Sequence, residues 1–170
     1  MNQLFYQTTH TPIGPMLMAA TQDKIAVLAF IEPCGLASTL DHWRKKLGGK
    51  APWISEAIPV FDSLNAELEL YFQGNLKNFL TPIALQGTMF QTQVWQALCE
   101  IPWGVTCSYG ELARAVHRPR AYRAAANANG ANPLCIMVPC HRVIHASGGL
   151  GGYGAGMDKK IWLLQHEGCL

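Results

Sequence analysis

Two Ser/Thr-x-x-Glu/Gln signatures, Thr88-Met89-Phe90-Gln91 and Ser108-Tyr109-Gly110-Glu111, do most to limit what this chain can fold into. In each, a hydroxyl and the side chain three residues on can satisfy orphan N–H groups of a first helical turn reciprocally, so both mark helix starts. Each precedes apolar residues at helical spacing: Phe90, Val94, Trp95 and Leu98 after the first, Leu112, Ala113 and Val116 after the second. A third helix is expected to begin near Pro119 and run to about Asn129. Two short helices separated by His117-Arg118-Pro119 predict a helix-turn-helix arrangement.

Upstream the signals change. Leu4 to Thr8, Pro15 to Ala20 and Lys24 to Ile31 are short apolar runs separated by Pro12, Gly14 and Thr21-Gln22-Asp23, which predicts antiparallel hairpins. Leu36 to Leu47 predicts a helix stopping at Gly48-Gly49, and Val60 to Phe72 a second, with Leu64, Leu68 and Phe72 on one face and Gly74 just beyond. Asn75 to Gln86, broken by Pro82, reads as a connection. The expected class is therefore α/β (α+β), with an N-terminal supporting domain at 1–85 and a C-terminal helical domain at 86–170.

The 170 residues are 49% hydrophobic and 14% charged, which suits a packed core rather than disorder. The longest apolar run, Ile25 to Ile31, is too short to span a bilayer, and Met1-Asn2-Gln3-Leu4 lacks the basic segment of an export signal, so an intracellular protein without a membrane partner is expected. The cysteines at 34, 99, 107, 135, 140 and 169 show no paired spacing, which favours reduced thiols; a zinc site from Cys34, His10 and His42 has too few ligands at irregular spacing. Residues 1–100 carry six Lys and Arg against eight Asp and Glu, whereas residues 101–170 carry seven against three. From Leu112 through Met157 there is no acidic residue, yet Arg114, Arg118, Arg120, Arg123 and Arg142 lie there, a pattern suited to phosphates or to a solvated basic face. The run Arg123-Ala124-Ala125-Ala126-Asn127-Ala128-Asn129-Gly130 is poor in bulk, so its backbone can approach a DNA groove or a neighbouring helix closely.

Pro139-Cys140-His141-Arg142-Val143 places a sulfur nucleophile beside a base. An ordinary thiol is only a few per cent ionised near neutrality, so a nucleophilic role needs such a neighbour. Without further support Cys140 would be an inert core thiol and Glu167, before Gly168, an exposed helix-end residue that gains nothing from the helix dipole.

Together these residues resemble the O6-alkylguanine-DNA alkyltransferases. The likeness is carried by Asn132-Pro133, Pro139 to Ile144, Ser108 to Ala113, Arg123-Ala124, Tyr153, and Trp162-Leu163-Leu164-Gln165-His166-Glu167-Gly168, in order across residues 88 to 168. The N-terminal part is similar only in length and in the Thr11-Pro12-Ile13-Gly14-Pro15 turn.

The resemblance implies a ribonuclease-H-like N-terminal domain, a winged-helix-like DNA-binding C-terminal domain, and one irreversible transfer of a small alkyl group from guanine O6, or thymine O4, to Cys140. No cofactor or metal is implied. Cys140 is then activated through water, His141 and Glu167; Asn132 ties the active-site turn together; and Tyr109 donates to the guanine ring. Val143 lines the base pocket together with Tyr153 and the Gly154 N–H of the glycine-rich segment Ser147 to Gly156. A stacked base cannot present its oxygen in line to sulfur, so extrusion is required, and Arg123 fills the gap. Ala124, Ala126, Asn127, Gly130, Tyr109, Arg118, Arg120 and Arg142 complete the implied contact with duplex DNA. The implied protein is a cytoplasmic monomer, nucleoid-associated on DNA, with association between copies there left open.

Two departures stand out. Ala125-Ala126 replaces the Val-Gly of many relatives, and Gly154 stands where some have serine. Two other readings stay open: a lesion-binding protein without transfer, which Cys140 argues against, and a cysteine hydrolase, which would turn over repeatedly.

Overall fold

The computed structural model describes residues 3–48 and 52–170, and the chain divides into two compact units at Gln86/Gly87. In the first unit, β1 (Phe5–Thr11) and β2 (Gly14–Ala20) form a hairpin whose register runs from Phe5 opposite Ala20 to Thr11 opposite Gly14. Gly14 has φ 126, a backbone state that a side chain would oppose, and its carbonyl accepts from the Thr11 hydroxyl at 2.6 Å. β3 (Ile25–Phe30) pairs antiparallel with β2.

Every residue from Met16 to Ala20 and from Ile25 to Phe30 is buried, so both sheet faces are covered. Leu17, Ala19, Val27 and Ala29 pack with Leu40 and Trp43 of α1 (Leu36–Lys46) and with Trp53. Alternate residues point the other way, and α2 (Pro59–Phe72), which buries Val60, Phe61, Leu64, Leu68 and Tyr71, packs against β1 and β2. The three strands and two helices lie where the hydrophobic pattern put them, within a few residues. The expected stop at Gly48-Gly49 is described only as far as Gly48, because Gly49 lies outside the described residues, as do Met1 and Asn2 of the expected non-signal start.

Two features were not expected. β4 (Ile54–Ser55) joins β1 in parallel, giving the order β3-β2-β1-β4; at two exposed residues it has no alternation to read. The connection after α2 is also built into this unit. Ile25 N–H donates to the Pro82 carbonyl at 2.9 Å and its own carbonyl accepts from Ala84 N–H at 2.8 Å, closing the edge of β3.

In the second unit, both capping boxes are formed. Thr88 and Gln91 open α3 (Met89–Cys99), and Ser108 and Glu111 open α4 (Tyr109–Ala115). The next helix, α5, is Tyr122–Gly130, so it begins three residues after Pro119 and ends one beyond the expected Asn129. His117 at φ 59 ends the preceding helix, and Ala121 N–H closes a turn on the Arg118 carbonyl at 2.8 Å, so Pro119 lies in the turn. Trp95 is buried and donates its indole N–H to the Ala128 carbonyl at 2.8 Å, fastening α3 to α5. A 3-10 turn at Cys140–Arg142 leads into β6 (Val143–Ile144), which pairs in parallel with β5 (Cys107–Ser108), and α6 (Met157–His166) follows the glycine-rich segment.

Candidate active site

The turn that delivers Cys140 is held by one amide. Asn132 accepts from Leu134 N–H at 2.9 Å through Oδ1 and donates to the Val138 carbonyl at 2.8 Å through Nδ2. Asn129 adds a bond to the Cys140 carbonyl at 3.3 Å. Cys140 is thereby fixed at the head of the 3-10 turn, 5% exposed.

His141 and Glu167, 26 residues apart, meet with Nε2 and Oε1 at 2.9 Å, both side chains fully buried. Burial would raise the Glu167 carboxyl, but hydrogen bonds from His141 and Arg142 and their charge hold it down at about 2. Burial pushes His141 below its usual value, against the pull of Glu167. A neutral ring beside an ionised carboxylate donates from Nε2, which leaves Nδ1 as the basic nitrogen; that atom is buried and has no protein partner.

Arg142 corrects the sequence expectation. It is 5% exposed and turned inward, with Nε and Nη2 forked on the Glu167 carboxylate at 2.6 and 2.9 Å and Nη1 on the Ile101 carbonyl at 2.5 Å. A guanidinium fixed in this way is not available to phosphate; it supplies the counter-charge that lets Glu167 stay ionised at the end of a helix.

Lys160 was missed. It lies fully buried in α6 and donates to the carbonyls of Val143, at 2.7 Å, Leu150 and Gly152, which staples the glycine-rich segment to the strand after the active-site turn. Its spacing could have flagged it only as the inward position of a helix. The neighbouring Cys135 thiol lowers the Cys140 thiol from its ordinary value, against the desolvation of its site, with further help from Asn132, the Lys160 charge and Tyr153. Tyr109, at the first turn of α4, has its hydroxyl raised by burial and by the neighbouring sulfur, so it stays protonated as a donor. That hydroxyl leaves no room for a side chain at Gly151, where an added Cβ would fall 2.7 Å from it. Val143 is fully buried, Tyr153 half-buried and Gly154 exposed.

On α5 the burial splits by face. Ala125, Ala128 and Asn129 point inward, while Arg123, Ala124, Asn127 and Gly130 are exposed and Ala126 is partly so. Arg118 and Arg120 are exposed in the preceding turn. Tyr122, 49% exposed beneath the Arg123 guanidinium, is an outward aromatic that sequence periodicity did not single out. Among the described residues no helix is long and apolar enough to cross a membrane.

Comparison with known proteins agrees with this layout. The family profile described as 6-O-methylguanine DNA methyltransferase, DNA binding domain, matches residues 89–169, and the corresponding ribonuclease-like domain matches residues 4–85. A methylated-DNA--protein-cysteine methyltransferase of Methanosarcina mazei is 42% identical over 96% of this chain and 97% of its own length. The crystal structure of Mycobacterium tuberculosis O6-methylguanine methyltransferase superposes with a TM-score of 0.84 at 39% identity, covering 98% of this chain and 93% of that one. A structure of Mycobacterium tuberculosis OGT in complex with DNA superposes at 0.83 with 39% identity, covering 96% and 92%.

Proposed function

This chain belongs to the 6-O-methylguanine DNA methyltransferase family, and we propose from that premise that it repairs DNA by moving an alkyl group from guanine O6 to Cys140. The observation that carries the reading is the buried Cys140, His141, Glu167 and Arg142 arrangement behind an exposed small-residue helix. Residues 86–170 carry both DNA binding and transfer, and residues 1–85 support them. The protein works in the cytoplasm, where it meets chromosomal DNA.

The chemistry follows from the charges. His141 Nδ1 receives the Cys140 proton through a water molecule, while Glu167, held ionised by Arg142, stabilises the ring as it gains charge. The sulfur lone pair forms the new S–C bond as the C–O6 bond breaks, and the electrons of that bond go to the guanine. Tyr109, still protonated, donates to the purine as negative charge develops on it. The base reaches sulfur by leaving the duplex; Arg123 fills the space, while Ala124, Ala126, Asn127 and Gly130 allow the close approach of α5 and Arg118 and Arg120 contact phosphates. Val143, Tyr153 and Gly154 line the base pocket. The thioether product is a poor leaving group, so each molecule acts once.

Incubation with a duplex containing O6-methylguanine, followed by intact and fragment mass analysis, tests this. One methyl per chain is expected at Cys140 and none on Cys140→Ala; methyl at another thiol, or turnover beyond one equivalent, overturns the reading.

A further inference from the structure

The parallel ladder of β5 and β6 ends with Ser108 opposite Ile144, so the chain leaves both strands side by side at Tyr109 and His145. Their rings meet there, centroids 5.4 Å apart and planes tilted by 57°, within the range of favourable aromatic contacts. The His145 backbone is pinned at the same point: its N–H donates to the Gly149 carbonyl at 2.7 Å and its carbonyl accepts from Gly148 N–H at 2.9 Å. Two glycines make room for the imidazole. An added Cβ at Gly149 would lie 3.7 Å from His145 Cδ2, and one at Gly151 would lie 3.4 Å from His145 Nε2 and 3.2 Å from Tyr109 Cε2. Gly151 thus lies against both rings, and at φ 70 it holds a backbone state that side chains rarely adopt. His145 is itself exposed, so its place beside Tyr109 is not forced by core packing.

We infer that His145 is a positioning residue for the transfer: its ring confines the Tyr109 phenol against Gly151 and so aims the hydroxyl at the purine. This rests on the reading in which Tyr109 donates to guanine as the alkyl group leaves for Cys140. A phenol oxygen lies on the axis of its ring, so the contacts that hold the half-buried Tyr109 ring set the direction of the donor. A donor already in place when charge develops stabilises it without reorganising, which makes small errors of aim costly. The imidazole acts here as a ring and moves no proton: its two nitrogens are dispensable, and its packing surface is not.

The test is a double-mutant cycle on the single-turnover rate of alkyl transfer, measured on duplex DNA and on a free-base substrate, with urea unfolding to verify folding. Tyr109→Phe, which removes only the hydroxyl, is expected to slow transfer about a hundredfold. His145→Ala is expected to slow it about fivefold on both substrates at an unchanged unfolding midpoint, and His145→Phe, which keeps a ring and loses both nitrogens, to recover most of that loss. Because His145 acts through the hydroxyl, adding His145→Ala to Tyr109→Phe should change the rate by less than about twofold. The inference is overturned by a His145→Ala rate equal to wild type, by the same loss in both backgrounds, or by a His145→Phe rate no better than that of alanine. A loss confined to duplex DNA also overturns it and makes His145 a phosphate contact. Failure of wild type to place methyl on Cys140 would instead overturn the proposed function.

Discussion

The two units bury opposite kinds of matter. In the first, the described interior is apolar apart from Thr39 and Thr81, and whole strands from Met16 to Ala20 and Ile25 to Phe30 are sealed from water. In the second, the interior holds Asn129, Asn132, His141, Arg142, Lys160 and Glu167. Apolar burial is non-directional and tolerates changes of partner, whereas a buried ion demands a counter-charge and donors at set angles. The difference shows where chemistry has been placed: the second unit accepts the desolvation of four ionisable side chains, and in return Cys140 sits in a field that water cannot screen.

The sharpest break in this contrast is Glu167→Ala. Removing the carboxylate leaves Arg142 buried without its counter-charge, which is expected to cost about 3–5 kcal/mol in urea unfolding and to abolish methyl transfer. A variant with the wild-type midpoint would mean that the buried ions contribute no more than surface ones.

A deletion in the apolar interior is the counterpart. Leu28→Ala is expected to cost about 3 kcal/mol by leaving a cavity, while the fraction that stays folded transfers its methyl at the wild-type rate. A lowered single-turnover rate at full folding would show that the first unit tunes the chemistry.

Acid separates the two interiors without mutation. Glu167 is held at about 2 in the folded chain against an ordinary 4.5, so its contribution is complete above 4.5 and is lost as pH falls towards 2. That loss amounts to about 3 kcal/mol. His141, also lowered, adds in the same direction, since the unfolded chain takes up its proton first as pH falls below 6.5. Urea midpoints measured between neutrality and pH 3 should fall steeply in wild type and less in Glu167→Ala.

The smallest effect on stability is expected on the exposed face of α5. Arg123→Ala should leave the unfolding midpoint unchanged while slowing repair of duplex DNA about tenfold, with less effect on a free-base substrate. Equal loss on both substrates would remove Arg123 from base extrusion.

Much of this is legible in the sequence. The capping boxes at Thr88 and Ser108 form because their partners lie three residues away, and the hydrophobic runs of β2 and β3 announce antiparallel strands, whose burial on both faces only the structure shows. The start of α5 falls three residues after Pro119 because proline suits a first helical turn and a tight turn equally well, and only His117 at φ 59 decides between them. Arg142 was misread because charge patterning assigns a side to a segment, not to a residue.

What the sequence by itself determined is what short range can encode: helix starts, strand alternation, a cysteine preceded by proline and followed by histidine, and an Asn-Pro turn ahead of them. What only the tertiary structure decided is how residues far apart in the chain are paired. Glu167 became a buried anion because Arg142 and His141, 25 and 26 residues upstream, close on it, and Lys160 became a staple because three carbonyls converge on its ammonium. The reason is physical: a hydrogen bond within one turn costs little chain entropy and is readable from neighbours, whereas a buried ion pair exists only after long loops have closed and water has been excluded.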